Sequence, residues 1–294
     1  MPTVVSINGE IFAESDAKVS VFDRGFLYGD SVFEVYRTYD GVPFAELEHL
    51  ERLARSAQRL LIALPVSIDQ LRDEVARAHV ASGNSDSYVR VVITRGSGPL
   101  TYDLTTAKEP TRVIIAAPVP TVPAAHYTHG VSVRVAQVSR PTDDPQAAGV
   151  KASNYLANLL AVHAAKQQGA HEAIITGRGG EVLEGASSNV FVVTGGRLRT
   201  PRPEAGILDG ITRRTVLEAA RRVGLPVDEE ALFPADLYAA DEVFITSSIR
   251  EVVPVVQVDD RRIADGRPGP VVAQLHAAYR EVVRAQTRRE ETGA

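Results

Sequence analysis

The first third of the chain repeats short segments in which apolar and polar positions alternate with the two-residue period of a β-strand. These segments lie at 3–7, 10–14, 31–39 and 42–47. The dipeptides Asn8-Gly9 and Asp40-Gly41 separate them in pairs, and both dipeptides favour the type I′ turn of a tight hairpin. The pattern therefore predicts two β-hairpins.

A helical pattern follows the hairpins. Apolar residues recur every three to four positions over the segment 50–61, and Ser67-x-x-Gln70 has the form of a capping box that opens a second helix. Strand-rich composition returns at 87–95 and 112–118. A proline-containing stretch then breaks the pattern. We therefore predict a small α+β domain over residues 1–120 and an interdomain linker over residues 121–130.

The remaining residues, 131–294, mix short strands with amphipathic helices. Helices are predicted at 154–168, near 211–223 and near 270–287, and strands at 131–138, 172–176, 188–193 and 241–246. Strands outnumber helices, and glycine pairs mark hairpin turns, which favours a mixed sheet or barrel over a doubly wound parallel sheet. The predicted fold class is thus a two-domain α+β or α/β protein, with the larger, barrel-like mixed sheet at 131–294.

The composition is that of an ordinary folded protein, with 44% hydrophobic and 23% charged residues. The net charge of −5 is spread along the chain without a basic stripe, which argues against nucleic-acid and anionic-membrane partners. The absence of cysteine excludes disulfides and cysteine nucleophiles, and the seven histidines lack metal-ligand spacing. Neither a signal peptide nor a long apolar run is present, so we expect a cytoplasmic protein without a metal site.

Lysine chemistry is limited to a few positions, because the only lysines are Lys18, Lys108, Lys151 and Lys166. Lys151 has a distinctive context, since it follows small and apolar residues and lies three positions before the helix predicted at Asn154. A desolvated lysine has a lowered pKa and forms Schiff bases. The alternative is an exposed loop lysine.

Two further segments carry donors for an anion. In 206–213, glycines precede a predicted helix start at which backbone N–H groups and the Thr212 hydroxyl can hold a phosphate; the alternative is an ordinary capped helix. The hydroxyls of 246–248 follow a strand, where they can face the same anion or form a simple turn. Glu184 is either a partner for a cationic ring nitrogen or a surface acid. Together with Lys151, these groups fit pyridoxal 5′-phosphate.

Five segments, in the same order, resemble the class IV aminotransferases. They are DRGFLYGDSVFE at 23–34, EHLERLARSA at 48–57, Lys151 with NYL at 154–156, EGASSNVF at 184–191 and GILDGITR at 206–213. This fold-type IV group includes branched-chain aminotransferases, D-amino acid aminotransferases, (R)-amine transaminases and aminodeoxychorismate lyases. The resemblance covers nearly the whole chain, and it implies a two-domain enzyme that uses pyridoxal 5′-phosphate.

The resemblance assigns roles to the residues that bind the cofactor. Lys151 is implied to be the Schiff-base lysine and proton shuttle, Glu184 to lie against the pyridine nitrogen, and Arg52 to bind the phosphate. Tyr155 is implied to bond the phenolate oxygen of the cofactor. The remaining cofactor-binding positions are Ser188, Asn189, Ile211, Thr212, Ser247 and Ser248.

Substrate-binding positions follow from the same resemblance. They are Tyr28, Phe33, Arg37, Tyr88, Arg90, Ile249 and Arg250. In the branched-chain enzymes the residue matching Tyr28 reaches across a dimer interface, which implies a homodimer. Phe33, Val35 and Tyr36 are expected to supply the apolar part of the pocket. The segment 99–102 lacks the Arg-x-His clamp of the well-known D-specific enzymes.

Arg250 departs from the family pattern, because the branched-chain enzymes usually have small residues at this turn. Its guanidinium can bind a carboxylate through two parallel hydrogen bonds. Alternatively, it is a solvent-facing arginine paired with Glu251 or Asp209. The sequence leaves both interpretations open.

The implied activity is amino transfer in a ping-pong cycle. The partners are a small α-amino acid or amine, with branched-chain L-amino acids favoured, and a 2-oxo acid such as 2-oxoglutarate. One alternative is a D-amino acid or (R)-amine transaminase of the same fold. Another is a lyase of the aminodeoxychorismate type, which would release pyruvate without an acceptor.

Overall fold

A computed structural model describes residues 2–140, 143–144 and 146–288, and the chain divides into two compact units. The first unit contains the described residues up to Pro120, Val150–Asn154 and the described residues from Ala285 on. The second contains the described residues of Thr121–Gly149 and of Tyr155–Arg284. Two segments thus differ from the predicted boundaries: 121–130 groups with the second unit and includes a short helix, and Val150–Asn154 groups with the first.

The first unit is a six-stranded antiparallel sheet with helices. Its elements are β1 (Val4–Ile7), β2 (Glu10–Ala13), α1 (Arg24–Tyr28), β3 (Ser31–Tyr39), β4 (Val42–Pro43), α2 (Glu46–Arg59), α3 (Ile68–Ser82), β5 (Ser87–Thr94) and β6 (Arg112–Pro118). The strand order is β2-β1-β6-β5-β3-β4. Both predicted hairpins form, and the residues of Asn8-Gly9 and Asp40-Gly41 all have the positive φ of type I′ turns. The predicted capping box of α3 is also confirmed.

Helices α2 and α3 supply the apolar core of the first unit. Leu50 and Leu53 of α2 and Leu71 of α3 are fully buried in one cluster with the inward residues of β5 and β6. Strand β3 places alternate residues on its two faces. Tyr36 belongs to this buried cluster, so the expectation that it lines a pocket together with Phe33 is wrong, since residues an odd number of positions apart on a strand face opposite ways.

The second unit is built on a mixed sheet. Its elements are α4 (Ala125–Thr128), β7 (Val131–Gln137), α5 (Leu156–Gln167), β8 (Glu172–Thr176), β9 (Val182–Gly185), β10 (Asn189–Thr194), β11 (Arg197–Thr200), α6 (Ile211–Arg222), β12 (Val227–Glu229), α7 (Pro234–Tyr238), β13 (Glu242–Ser247), β14 (Glu251–Val258), β15 (Arg261–Arg262) and α8 (Pro270–Thr287). The last residues of α8, from Ala285 on, group with the first unit. The order is β12-β11-β10-β13-β14-β7-β8-β9, with β15 paired to β14. Strand β7 pairs in parallel with β8 and β14, and β11 with β12, while the other pairs are antiparallel.

This sheet curls so that its ends meet. Strands β9 and β12 stand at opposite ends of the strand order, yet the backbone N–H of Val182 in β9 donates to the carbonyl of Leu232, three residues after β12, at 2.7 Å. The predicted barrel-like mixed sheet is therefore confirmed.

None of the helices in the described part of the chain combines the length and apolar character needed to cross a membrane. The cytoplasmic location stays a prediction.

Candidate active site

Lys151 lies in an extended segment of the first unit that pairs with the start of β3. The Phe33 N–H donates to the Lys151 carbonyl at 3.0 Å, and the Ser153 N–H donates to the Ser31 carbonyl at 3.0 Å. The Lys151 N–H donates to the hydroxyl of Ser56 on α2 at 3.3 Å. Its neighbours Val150 and Ala152 are buried in the core cluster, and Lys151 itself is half-buried. Lys151 is therefore not the exposed loop lysine of the alternative interpretation.

The side chain of Lys151 ends beside an aromatic ring. Its Nζ lies 4.6 Å from the ring centroid of Phe33, and the guanidinium carbon of Arg90 lies 4.1 Å from the same centroid. Two cations therefore share one ring, an arrangement that the electron-rich faces of phenylalanine favour. Lys151, Phe33 and Arg90, three residues singled out in the sequence, are brought together in the first unit.

The other substrate-binding candidates of the sheet lie on the same face as Phe33. Arg37 and Tyr88 are directly opposite each other on β3 and β5, and Arg90 is opposite Val35. Residues two positions apart on a strand share a face, so this face presents aromatic, aliphatic and cationic groups side by side. The guanidinium carbon of Arg37 stacks 4.3 Å from the ring centroid of Tyr39.

On the opposite face of β3, Arg52 is held by a buried carboxylate. Its Nε donates to Glu34 Oε1 at 2.6 Å and its Nη2 donates to Glu34 Oε2 at 2.8 Å. His49 is also within hydrogen-bond distance of Glu34, with 2.7 Å between its Nδ1 and Oε2. His49 and Arg52 are three residues apart on α2 and so share a helix face. The sequence assigned Arg52 to the phosphate but did not identify Glu34 and His49 as residues that hold it.

Glu34 is fully buried, and burial and the neighbouring charges shift its pKa in opposite directions. Burial raises the pKa of a carboxyl, but Arg52 and His49 outweigh it and hold the pKa of Glu34 well below its ordinary value. Glu34 is therefore ionised at neutral pH and fixes the Arg52 guanidinium in one orientation. A charged residue at an inward position of a strand, between Val32 and Tyr36, was the signal in the sequence that identifies it.

Tyr28 and Tyr155 are at the ends of helices. Tyr28 closes α1 and is 39% exposed, with its ring 5.7 Å from that of Tyr102 and 5.0 Å from the guanidinium carbon of Arg24. Tyr155, in the second unit, directly precedes α5 and is half-buried. Their assigned roles stay predictions.

In the second unit, Glu184 projects from β9 into a set of donors. Arg140 Nη1 donates to its Oε1 at 2.5 Å, and the Leu208 N–H donates to its Oε2 at 3.1 Å. The Arg140 side chain is only 3% exposed. Glu184 is thus a partly buried, paired carboxylate rather than a surface acid. Arg140 was missed in the sequence, because nothing in its neighbourhood indicates a partner 44 positions away.

Asn189 connects the two predicted anion-binding turns. Its Nδ2 donates to the Leu208 carbonyl at 2.9 Å, and the residue pairs with Thr246 across β10 and β13. A Cβ at Gly210 would lie 2.0 Å from Asn189 Oδ1, so this close approach requires glycine. The start of α6 and the end of β13 therefore converge in the second unit.

The converging turns present groups that suit a polar ligand. Ile211 and Thr212 are buried in the first turn of α6, and no side chain caps that helix start. Ser247 and Ser248 are half-buried at the end of β13. Within the described residues, buried polar atoms without a hydrogen-bond partner include Arg140 Nη2, Ser188 Oγ and Thr246 Oγ1. Such orphaned groups are rare in folded proteins, and helix starts favour anions, so the donor set fits a phosphorylated ligand.

Arg250 is paired differently from the solvent-facing alternative. Its Nη1 donates to Glu172 Oε2 at 2.6 Å. Glu251 is instead bound by His276 and Arg280 of α8, with 2.7 and 2.8 Å to its Oε2. The half-buried Ile249 directly precedes Arg250.

Comparison with known proteins identifies the family. Residues 31–258 match the family model described as amino-transferase class IV. The chain belongs to the class IV aminotransferases, and it is a transaminase. The resemblance noted in the sequence is confirmed.

Several relatives match the chain almost from end to end. A provisionally named branched-chain-amino-acid aminotransferase of Methanocaldococcus jannaschii is 40% identical over 278 residues, which cover 95% of this chain and 96% of that protein. D-alanine aminotransferase of Listeria monocytogenes is 34% identical over 285 residues, 96% of either chain. The crystal structure of the T.th. branched-chain amino acid aminotransferase with pyridoxamine 5′-phosphate is 29% identical, has a TM-score of 0.91, and is matched over 99% of this chain and 96% of that one. The predicted fold class is thus confirmed.

Proposed function

We propose that this transaminase uses pyridoxal 5′-phosphate to move an amino group between a branched-chain L-amino acid and a 2-oxo acid such as 2-oxoglutarate, in a ping-pong cycle. The observation that carries the proposal is Lys151, which is half-buried, paired with β3 and directed at the ring of Phe33. The branched-chain names of two of the relatives, and the pyridoxamine 5′-phosphate in one of them, support it.

The cofactor, when bound, supplies an electrophilic carbon for amines and a ring that takes up negative charge. Lys151 would hold the cofactor through its Nζ, and the same amine would move the proton at the substrate α-carbon. The aromatic ring of Phe33 beside Nζ keeps water from one side of the amine. Glu184, paired with Arg140, is suited to keep a ring nitrogen protonated.

The remaining proposed cofactor-binding residues offer different polar groups to different parts of the cofactor. Arg52 supplies a fixed guanidinium for the phosphate, and Tyr155 supplies a hydroxyl for the ring oxygen. The other proposed cofactor-binding residues are Ser188, Asn189, Ile211, Thr212, Ser247 and Ser248. Asn189 acts mainly through its bond to the Leu208 carbonyl, which holds the turn before α6 in place.

The proposed substrate residues on the first unit combine two chemistries. Phe33, Val35 and Tyr88 offer apolar surface for an aliphatic side chain, whereas Arg37 and Arg90 offer guanidinium groups for the second carboxylate of a dicarboxylic acid. One face therefore suits both partners of the ping-pong cycle. Tyr28 and Ile249 are the further proposed substrate contacts.

A D-amino acid donor is the second candidate. The D-alanine aminotransferase relative supports it. The absence of an Arg-x-His sequence at 99–102 favours the branched-chain donor instead.

We also propose that the chain forms a homodimer. On α5, Leu156, Leu159 and Leu160 are each at least 60% exposed and lie on one helix face. In the first unit, Phe26 and Tyr102 are 68% and 87% exposed. Exposed apolar groups that cluster, as on this face of α5, are typical of protein interfaces.

The test is a half-reaction scan on the cofactor-loaded protein. L-leucine, D-alanine, (R)-1-phenylethylamine and aminodeoxychorismate are each offered without an acceptor, and the loss of pyridoxal absorbance is followed. We expect rapid loss with L-leucine. Rapid loss with D-alanine alone would replace the branched-chain donor by a D-amino acid, and pyruvate release from aminodeoxychorismate without an acceptor would indicate a lyase.

Lys151→Ala tests the assigned lysine, with the exposed Lys166→Ala as the matched control. We expect Lys151→Ala to retain phosphate-dependent cofactor binding but to lose turnover, because no other amine replaces its Nζ. Lys166→Ala should match the unaltered protein in both. Normal turnover in Lys151→Ala would falsify the assignment.

A further inference from the structure

The turns that follow β9 and β13 are tied together by one side chain. Arg250 Nη2 donates to the carbonyl and the hydroxyl of Ser187 at 3.1 and 2.9 Å. Its Nε donates to Ser247 Oγ at 3.1 Å, and its Nη1 donates to Glu172 Oε2 at 2.6 Å. One guanidinium thus binds the start of β8, the turn between β9 and β10, and the end of β13.

Glu172 completes the connection. Its Oε1 accepts from the Ser187 N–H at 2.6 Å and from the Ser187 hydroxyl at 2.8 Å. His171 Nε2 lies 3.2 Å from Arg250 Nη1, and burial and Arg250 lower the pKa of His171 to about 4, so the neutral ring accepts this bond. Every nitrogen of the guanidinium is therefore bound within the second unit.

The burial of the Arg250–Glu172 pair limits which ligands Arg250 can bind. The Glu172 side chain is 1% exposed and that of Arg250 is 19% exposed. A buried carboxylate that loses its cation is strongly destabilised, so a substrate carboxylate would have to compete with Glu172 for the same guanidinium. This geometry disfavours Arg250 as a substrate ligand.

We propose that Arg250 is a positioning residue, which holds the Ser187 turn and the Ser247 turn in the arrangement that receives the cofactor. The proposal rests on the proposed function, because Ser188 and Ser247 are assigned there to the cofactor. A turn that is already in place at binding loses less conformational freedom, which strengthens binding. Arg250 thus acts on the cofactor through Ser187, Ser247 and Glu172.

Cofactor affinity is the first readout. Arg250→Ala, Arg250→Lys and the control Arg197→Ala are freed of cofactor and titrated with pyridoxal 5′-phosphate; Arg197 forms an exposed pair with Asp228 in the same unit. We expect Arg250→Ala to raise Kd roughly tenfold or more, since several charge-assisted hydrogen bonds are lost. Arg250→Lys should recover part of the affinity, whereas Arg197→Ala should leave Kd unchanged. At saturating cofactor, KM for L-leucine and 2-oxoglutarate should stay as in the unaltered protein.

Backbone hydrogen exchange without cofactor is the second readout, and it does not depend on activity. Peptides that cover 186–188 and 247–250 should exchange faster in Arg250→Ala than in Arg197→Ala. A merely structural role would instead lower Tm with and without cofactor alike and leave Kd unchanged, which overturns the proposal.

Three further outcomes are decisive. Unchanged Kd with raised KM for both substrates would make Arg250 a substrate ligand and overturn its positioning role. If the unaltered protein binds no pyridoxal 5′-phosphate, the proposed function fails, and the cofactor role of both turns fails with it. If the unaltered protein binds it and Arg250→Ala binds equally well, only the role of Arg250 is overturned.

Discussion

At the scale of single residues, carboxylates and arginines of the candidate site fix each other in buried or partly buried pairs. Glu34 holds Arg52, Glu184 is held by Arg140, and Glu172 holds Arg250. In each pair the planar guanidinium is fixed by charge-assisted hydrogen bonds, which constrain its direction as well as its position. Lysine would give neither the fork geometry nor the same control of direction. The strong preference of this chain for arginine, with only four lysines, is consistent with that use.

Glu34→Gln tests the support of Arg52. We expect the free energy of unfolding to fall by roughly 3–5 kcal/mol, because a buried cation loses its counter-ion. Cofactor affinity should fall as well, since Arg52 is no longer fixed. Urea unfolding and a cofactor titration measure the two effects. Glu48→Gln, at an exposed position on α2, the helix of Arg52, is the control, and equal effects in both variants would contradict the role of Glu34.

The sequence predicted the candidate residues best where a local motif marks them. Lys151 was singled out from its neighbours and Phe33 from the family resemblance, and the structure brings the two together. Glu34, Arg140 and Glu172 were missed, because their partners lie 18 to 78 positions away and only the folded chain joins them. The inward position of Glu34 on its strand was a signal in the sequence, but the partners of all three residues are not marked in a single sequence.

At the scale of elements, local signals predicted the hairpins, the helices α2, α3, α5, α6 and α8, and the strands β5, β6, β7, β8, β10 and β13. Non-local pairing decided how the strands are arranged. Strand β14 is central in the second sheet but was not predicted, since Pro254 interrupts its apolar run. The structure accommodates this proline because pairing with β7 begins only at Val255. The segment Val150–Asn154 was likewise assigned to the wrong neighbours by sequence order, as its partner β3 is more than a hundred residues earlier.

An ion-pair cluster links β14 to α8, and it gives the protein an acid-sensitive contribution to stability. Burial raises the pKa of Glu251, but His276 and Arg280 outweigh it and lower the pKa to about 2. A carboxyl with a depressed pKa stabilises the fold above its unfolded pKa of about 4.5 and loses that effect as pH falls toward 2. The contribution is about 3 kcal/mol at neutral pH.

Glu251→Gln should remove this contribution. We expect the variant to be less stable at pH 7 and the difference from the unaltered protein to shrink as pH falls from about 4.5 to 2. The pKa of His171 is lowered to about 4, so its protonation destabilises both proteins increasingly as pH falls from about 6.5 to 4. This effect is the same in both proteins and cancels in their stability difference. Denaturant unfolding at several pH values measures it. Glu218→Gln, which breaks an exposed pair with Arg222, is the control, and a pH-independent difference for Glu251→Gln would rule the mechanism out.

At the scale of the whole molecule, the proposed site residues are divided between the units. Lys151, Arg52 and the substrate face of β3 and β5 belong to the first, and Glu184, Thr212 and the two tied turns belong to the second. Chain order alone would have assigned Lys151 to the second unit. Exposed apolar groups occur on both units.

The dimer is tested by placing a charge on α5. Leu159→Asp should shift the protein from dimer to monomer in sedimentation velocity at micromolar concentration. Burying the new charge in an apolar interface would remove its hydration, which is unfavourable. Val80→Asp on α3, which is also highly exposed, should leave the dimer intact. A monomeric unaltered protein, or a dimer unaffected by Leu159→Asp, would contradict this interface.

The pairing of Val150–Asn154 with β3 also has a consequence for the order of folding. The Phe33 and Ser31 backbone groups that this segment occupies belong to a sheet edge, and an uncovered edge invites association between chains. During synthesis, β3 emerges long before Lys151, so this contact is a late, long-range closure of the kind that slows folding. The same short segment therefore covers this edge of β3 and carries the reactive amine, so the amine reaches its place only when the edge is closed.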